Sequence, residues 1–372
     1  MMKRILALLF CAVLAVSLFA CGTPDASTDG TDSDASASTG ETENKGPTLY
    51  DETMEHKFLV TDIKNGAIAV LDLNKCDGDW TKLTGDQCVV WEWVSSKCST
   101  CKYPNKVQAG IDDAKLRYSP YYKEDVIIAC SSSGWAGIIS YKTKEVLFEV
   151  LPSNGPHSIE LLPNGDFVVA CSGGSNWSTK GYLCYYPISA GVNSRSSELK
   201  VPSAHGVQWD PQRNLLWVLQ YDGVISVTVE KYGTKNATLK KGGFSAYFGD
   251  GDASGHDLSP VYGQPGKYWV TAGNVWSFDS ERCTLNSSYK NQGKYNAKNV
   301  KGIAYFADGT MILTPTGAGT GKSTYDWSTH TLQIVHIAMS EGRVKQPIGK
   351  VTRVTFTDRE FYKVHTFSKD YQ

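Results

Sequence analysis

Val126-Ile127-Ile128-Ala129-Cys130 returns further along the chain as Phe167-Val168-Val169-Ala170-Cys171. Both stretches have the length and the β-branched, apolar composition of buried β-strands. Each follows a turn, and each turn is preceded by a second short strand with a basic residue near its start. Self-similarity of this kind is typical of repeat architectures.

The strands that precede the turns align as six similar starts along the chain. The six basic residues that mark them are Arg117, His157, His205, His256, Lys301 and His365. Their successive intervals are 40, 48, 51, 45 and 64 residues. Units of this length with four strands each are the blades of β-propellers.

The sequence therefore predicts an all-β, six-bladed β-propeller over residues 48–372. Five blades follow one another in chain order. Residues 57–95 supply only three strands of the first blade, so the strand around His365 is expected to complete it and to close the ring, which removes a free sheet edge. A pair of β-sandwiches is the alternative, but it gives no reason for the last strand to repeat the first-strand pattern.

The N-terminal 20 residues have the features of a secretory signal. Lys3 and Arg4 precede an apolar run from Ile5 to Ala20 that is short for a membrane span. The run ends in Leu18-Phe19-Ala20-Cys21, which resembles the lipobox of bacterial lipoproteins. The resemblance implies lipidation of Cys21 and a partner membrane reached through this anchor, in the extracytoplasmic cell envelope. An ordinary signal peptide that is cut nearby is the alternative.

Residues 21–47 follow as an expected disordered tether, because residues 22–47 lack large apolar side chains. Residues 1–47 carry three basic and six acidic side chains, and the whole chain has a net charge of −1, so residues 48–372 carry about +2. A weakly charged domain of this kind argues against nucleic acid as a partner.

The repeated His-containing starts, together with Leu161-Leu162-Pro163-Asn164-Gly165, resemble those of bacterial six-bladed propeller lipoproteins, among them a family described only as a domain of unknown function. A more distant resemblance is to oligogalacturonate lyases and arylsulfate sulfotransferases, which place basic residues around a propeller axis. The lyases hold a divalent metal with several His and a Gln. Their motifs do not map residue by residue onto this chain.

The six basic residues are expected to meet at the mouth of the central channel, since the innermost strand of each blade begins there. Arg117, Lys301 and His365 are then predicted to bind an anionic ligand. His157, His205 and His256 are predicted catalytic residues, either as ligands of one divalent metal that assists a lyase reaction or as general acids and bases. The alternative is that these residues only connect neighbouring blades.

Loops on the same face carry aromatic residues that would form a rim around the basic centre. The predicted rim residues are Trp135, Trp177, Tyr221, Trp276 and Trp327. Aromatic faces around cations favour an acidic glycan or another anionic small ligand. The alternative is that these aromatic side chains pack between blades.

Two further motifs carry less weight. Residues 316–323 imitate a phosphate-binding loop, but Thr316 stands where the motif needs Gly and no helix pattern follows. Cys98-Ser99-Thr100-Cys101 favours a local disulfide in an exported protein, with a zinc site involving Cys76 and Cys88 as the weaker alternative.

The sequence thus predicts a membrane-anchored propeller that binds an anionic or carbohydrate ligand at its channel mouth, with lyase activity left open. The other hypothesis is a non-catalytic scaffold at the cell surface that binds a protein partner. A deep polar mouth would favour the first, and a flat apolar face would favour the second.

Overall fold

The computed structural model describes residues 56–76, 85–174, 180–249, 251–287, 299–316, 326–340, 343–347 and 351–372. The expected signal peptide, Cys21, the tether and Trp177 lie outside these residues. So does most of the phosphate-loop-like segment. In the part of the chain that is described, no helix has the length and apolar character needed to cross a bilayer.

Twenty-five strands make up nearly all of the regular structure in these residues. In chain order they are β1 (Lys57–Asp62), β2 (Ala67–Asp72), β3 (Val89–Val94), β4 (Ile111–Ser119), β5 (Glu124–Ser131), β6 (Trp135–Ser140), β7 (Val146–Val150), β8 (Pro156–Leu161), β9 (Phe167–Cys171), β10 (Tyr182–Tyr186), β11 (Ser197–Lys200), β12 (Gly206–Asp210), β13 (Leu215–Gln220), β14 (Gly223–Glu230), β15 (Thr238–Tyr247), β16 (Asp257–Pro260), β17 (Lys267–Thr271), β18 (Val275–Asp279), β19 (Thr284–Ser287), β20 (Val300–Tyr305), β21 (Thr310–Pro315), β22 (Thr331–Ser340), β23 (Arg343–Pro347), β24 (Thr352–Thr355) and β25 (Phe361–Thr366).

The described helices are short and lie in connections. One α-helix, α1, spans Pro104–Gln108 between β3 and β4. Single-turn 3-10 helices occupy Leu73–Cys76, Gly85–Cys88, Ser95–Lys97 and Ile188–Ala190.

The strands form six antiparallel sheets, one for each blade of a propeller. Blades 2 to 5 are the consecutive sets β4–β7, β8–β11, β12–β15 and β16–β19. Blade 6 is β20–β23, with β24 paired to the first half of β22. Blade 1 has the order β25-β1-β2-β3, so the strand that carries His365 closes the ring as predicted.

The first strands of the blades surround the central channel. Each contacts the corresponding strand of the next blade, in the closed cycle β25, β4, β8, β12, β16 and β20. The apolar cores lie between adjacent blades. Val126 and Ile128 of blade 2, for example, pack with Val169 and Cys171 of blade 3. The two stretches that reveal the repeat are therefore strands β5 and β9, and they are apolar because they are buried between neighbouring blades.

Candidate functional site

A cavity of about 570 Å³ opens where the six innermost strands begin. One polar side chain from each blade lines it: Tyr362, Asp112, His157, His205, His256 and Lys301, in order from blade 1 to blade 6. These six residues are called the mouth ring below. Ser132, Ser172, Ser203, Ser254, Gly174 and Trp327 complete the described lining.

A local irregularity of the innermost strands positions the mouth ring. In β4, Ile111 pairs with Ser131 and Asp113 with Cys130, so Asp112 is an extra residue in a β-bulge. His157 occupies the same position in β8, between paired residues Pro156 and Ser158. A bulge bends its strand and redirects side chains, and bulges often lie beside active sites.

The other four blades share this arrangement. The register shifts by one residue between Val300 and Ile303 in β20, the interval that contains Lys301, and between Phe361 and Val364 in β25, the interval that contains Tyr362. The backbone N–H groups of His205 and His256 donate to the carbonyls of Leu219 and Thr271, which already pair with the next residues, Gly206 and Asp257. The repeated bulge therefore explains why six blades direct a polar side chain to one point.

Lys363 closes the channel directly below the mouth ring. Its ammonium group donates to the carbonyl oxygens of His157 and His205, at 2.9 Å each, and lies 3.4 Å from Asp257 Oδ1. Burial alone would lower the pKa of Lys363, but Asp113 and Asp257 outweigh it and raise the pKa. Lys363 is therefore a buried positive charge beneath the cavity, outside its described lining, and it is balanced by carboxylates.

Two imidazoles of the mouth ring are oriented by their own backbone. Nδ1 of His157 lies 2.8 Å from the carbonyl oxygen of Gly155, and Nδ1 of His205 lies 2.9 Å from that of Ser203. A carbonyl oxygen only accepts, so Nδ1 carries the proton in both rings. In the neutral imidazole, Nε2 is then an unprotonated acceptor. The two rings are adjacent, with centroids 4.3 Å apart.

Lys301 and His256 form the remaining polar pair. Lys301 Nζ lies 2.7 Å from His256 Nε2, so the ammonium donates to a neutral imidazole. Burial, together with the charge of Lys363, lowers the pKa of Lys301 to about 8. Burial and the nearby Lys301 lower the pKa of His256 well below its usual value, and burial and the neighbouring imidazoles do the same for His205. At neutral pH His205 and His256 are therefore neutral, and Lys301 is the cation that faces a ligand from the described lining.

Asp112 and the aromatic side chains complete the site. Asp112 Oδ1 lies 3.7 Å from His157 Nε2, and burial raises the pKa of this carboxyl group. Trp327 is 37% exposed and contacts the buried Tyr362 edge to face, with ring centroids 5.6 Å apart. The cavity thus combines one cation, several acceptors and one aromatic wall.

The prediction that Arg117 lies at the mouth is wrong. Arg117 is the seventh residue of β4, and its side chain lies at the far end of the channel. There it donates two hydrogen bonds to Glu160, at 2.7 and 2.9 Å, and its guanidinium lies 5.0 Å from the ring centroid of Tyr371. The predicted alignment followed the basic residue, whereas the position equivalent to His157 is Asp112, the second residue of the strand.

His365 also lies below the mouth. It is the fifth residue of β25, is buried, and its Nε2 atom lies 2.7 Å from Asp113 Oδ1. The mouth position of this strand is Tyr362, the second residue. Asp112 and Tyr362 are not basic, so an alignment of basic residues does not find them. Both are the second residue of their strand, as His157 and Lys301 are, whereas His205 and His256 directly precede β12 and β16.

Among the predicted rim residues that are described, Trp327 alone lines the mouth cavity. Trp135 and Trp276 are buried between blades, where their indole N–H groups donate to Glu149 and Asp252 at 3.0 and 2.7 Å. The alternative of packing between blades is therefore correct for these two. Tyr221 is half-buried in the turn between β13 and β14, away from the described cavity lining.

The mouth ring does not match a metal site in this arrangement. No group of three or more His, Cys, Asp or Glu among the described residues is placed to hold a metal ion. The Nε2 lone pair of His256 already accepts from Lys301, and a nearby ammonium opposes a second cation. The predicted divalent metal remains a prediction that this geometry does not favour.

Comparisons with known proteins identify a family but no activity. Residues 55–327 match the model of a family of unknown function, DUF6528. No curated protein matches the chain. Similar solved structures include a protein of unknown function from Bacteroides caccae, at 13% identity over 84% of this chain and 99% of that chain, with a TM-score of 0.48. Another is the Cps50 (Swd1) β-propeller domain of Myceliophteria thermophila, at 11% identity over 79% and 86%, with a TM-score of 0.46.

Proposed function

The chain belongs to DUF6528, a family without a known function, and we propose that its mouth cavity binds a small acidic carbohydrate or a related hydroxy acid. The observation that supports the proposal is the mouth cavity itself, where one polar side chain from each blade meets the others. One of these side chains, Lys301, has no carboxylate partner among the described residues.

The chemistry of the mouth ring fits such a ligand group by group. A ligand carboxylate pairs with Lys301, which donates to it as a charged group. Hydroxyl groups donate to the unprotonated Nε2 atom of His205 and lie within reach of the adjacent His157 ring. The aromatic wall of Trp327 and Tyr362 covers the apolar face of a sugar ring. A volume of about 570 Å³ lies in the usual range of small-molecule sites.

The concave shape of the mouth supports a ligand site over a protein-docking scaffold. A docking face is typically a contiguous apolar patch on the surface. Here apolar carbon atoms make up much of the lining, but they belong to a cavity into which imidazole, ammonium, carboxyl and hydroxyl groups also project. Binding of a protein partner with no effect of mouth-ring substitutions would favour the scaffold.

Calorimetric titration with glucuronate, galacturonate and their neutral parents, glucose and galactose, tests the proposal. We expect the acids to bind about tenfold more tightly than the neutral sugars, a difference of about 1.4 kcal/mol. Lys301→Met should remove this preference. Lys240→Met is the control, because Lys240 is 60% exposed and outside the cavity. Equal binding of acids and neutral sugars by the unmodified protein would refute the proposal.

A lyase reaction is a finer proposal for the same site. His205 is neutral, and its unprotonated Nε2 atom is the available base; it would take the proton from the carbon beside the ligand carboxylate. The electron pair then forms a carbon–carbon double bond as the glycosidic oxygen leaves with a proton. The unsaturated product absorbs ultraviolet light, so incubation with oligouronides and measurement of absorbance tests this step. If oligouronides bind but no absorbance appears, the protein binds the ligand without cleaving it.

Anchoring at Cys21 is proposed from the N-terminal sequence alone. Lipidation would hold the propeller at the extracytoplasmic face of a membrane. Cys21→Ser should move the protein from the membrane fraction to the soluble fraction. Retention of the variant in the membrane fraction would contradict the lipid anchor.

A further inference from the structure

Cys98 and Cys101 lie in the connection between blade 1 and blade 2, outside the mouth cavity. The structure describes both as free thiols, so the local disulfide expected from the sequence is not formed in it. Cys98 is partly exposed, whereas Cys101 is buried. This asymmetry distinguishes the pair from two equivalent structural cysteines.

The backbone brings the two residues within reach of each other. The Cys101 N–H donates to the Cys98 carbonyl oxygen at 3.4 Å, which closes a turn of four residues. Such a turn holds its first and fourth Cα atoms within about 7 Å, and disulfides span Cα separations of about 4.4–6.8 Å. An intramolecular disulfide can therefore form with a small adjustment.

The pKa values of the two thiols differ in the direction that thiol–disulfide exchange requires. Burial alone would raise the pKa of Cys98, but hydrogen bonds from the side chain and backbone of Thr100 outweigh it and lower the pKa. The Thr100 hydroxyl lies 3.3 Å from Cys98 Sγ. Burial raises the pKa of Cys101 to about 11. A larger fraction of Cys98 than of Cys101 is therefore deprotonated, and Cys101 is mostly a protonated thiol at neutral pH.

An open cavity of about 490 Å³ lies beside Cys98. Its lining carries two lysines, Lys97 and Lys144, and two glutamates, Glu92 and Glu145, so charged groups of both signs surround the opening in which Cys98 is accessible. This cavity shares no described lining residue with the mouth cavity. A chemistry located here is therefore separate from ligand binding at the mouth.

We propose that Cys98 and Cys101 carry out thiol–disulfide exchange with a small peptide disulfide. The Cys98 thiolate attacks one sulfur of the substrate, the substrate S–S bond breaks, and the leaving thiolate takes up a proton. Cys101 then loses its proton and attacks Cys98 Sγ, which closes the Cys98–Cys101 disulfide and releases the second substrate thiol. The cysteine pair is oxidised and the substrate disulfide is reduced.

Glutathione disulfide and the purified full-length protein test the proposal, with peptide-level mass spectrometry to follow each cysteine separately. The unmodified protein should acquire a Cys98–Cys101 disulfide and release two glutathione molecules. Cys101→Ser should stop at a mixed disulfide on Cys98. Cys98→Ser should form neither product, and Cys283→Ser, which removes another partly exposed thiol, should behave like the unmodified protein.

Alkylation of the unmodified protein keeps the test independent of the folding of any variant. At neutral pH, Cys98 should react about tenfold faster than Cys283, whose pKa is raised by burial. Equal rates, the absence of a mixed disulfide in a folded Cys101→Ser variant, or a Cys98–Cys101 disulfide that excess glutathione does not reduce would overturn the proposal. None of these outcomes bears on the mouth cavity.

Discussion

At the far end of the central channel, Arg117 meets a carboxylate through two hydrogen bonds and is covered by residues 368–371. At the mouth, Lys301 contacts a neutral imidazole and has no carboxylate partner among the residues that the structure describes. Both cations are buried and belong to innermost strands. The difference shows that one repeat can serve two purposes. The Arg117–Glu160 ion pair connects blades 2 and 3. Lys301 has no carboxylate partner among the described residues, so it can bind an anionic ligand.

The largest effect is expected at the far end. Glu160→Gln leaves the Arg117 guanidinium buried without its counter-charge, and we expect the free energy of unfolding to fall by about 3–5 kcal/mol. Glu230→Gln is the control, since the Lys240–Glu230 pair is exposed and such pairs contribute about 0–1 kcal/mol. Chemical denaturation measures both, and equal losses would remove the proposed contrast between the two ends.

The contrast also shows where the sequence was informative. Apolar strand runs and their recurrence predicted six blades and closure by the last strand, because burial between blades imposes the same pattern on each repeat. The mouth was only partly predicted. His157, His205, His256 and Lys301 meet there, but Arg117 and His365 do not.

The reason is geometric. A β-bulge and the length of a strand decide which residue faces the mouth, and neither has a spacing that can be read from a single chain. The burial of Trp135 could not be predicted either, because a tryptophan at this place in the sequence can be a buried residue that donates to Glu149 or an exposed residue of a rim.

The stability of the folded protein is expected to depend on pH through Lys301. The pKa of Lys301 is about 8 in the folded protein against an ordinary value of 10.5, so between these values the unfolded chain holds a proton that the folded protein has released. Stability attributable to Lys301 therefore rises with pH across this window, by roughly 3 kcal/mol.

The difference between the unmodified protein and Lys301→Met isolates this contribution. Denaturation at pH 7 and pH 10 should show that the variant is the more stable protein at pH 7, and that its advantage largely disappears at pH 10. An advantage that does not change with pH would mean that Lys301 is not strained by its burial.

A smaller effect is expected from the imidazole acceptors. His205→Leu removes one acceptor while keeping a similar volume, and a hydrogen bond contributes about 1 kcal/mol. Glucuronate and glucose should both bind about fivefold more weakly, in contrast to the acid-specific effect of Lys301→Met. His330→Leu, outside the described lining of the cavity, is the control, and an acid-specific loss with His205→Leu would assign this residue to the carboxylate instead.

The affinity of glucuronate between pH 7 and pH 9 tests the central claim most directly. The pKa of Lys301 is about 8, so its ammonium is mostly protonated at pH 7 and mostly deprotonated at pH 9. With a tenfold preference for acids, calorimetry should show a loss of about fivefold in glucuronate affinity, while glucose binding stays constant. A glucuronate affinity that is flat over this range, or that falls equally in Lys301→Met, would contradict the claim that the mouth ring recognises an acid through Lys301.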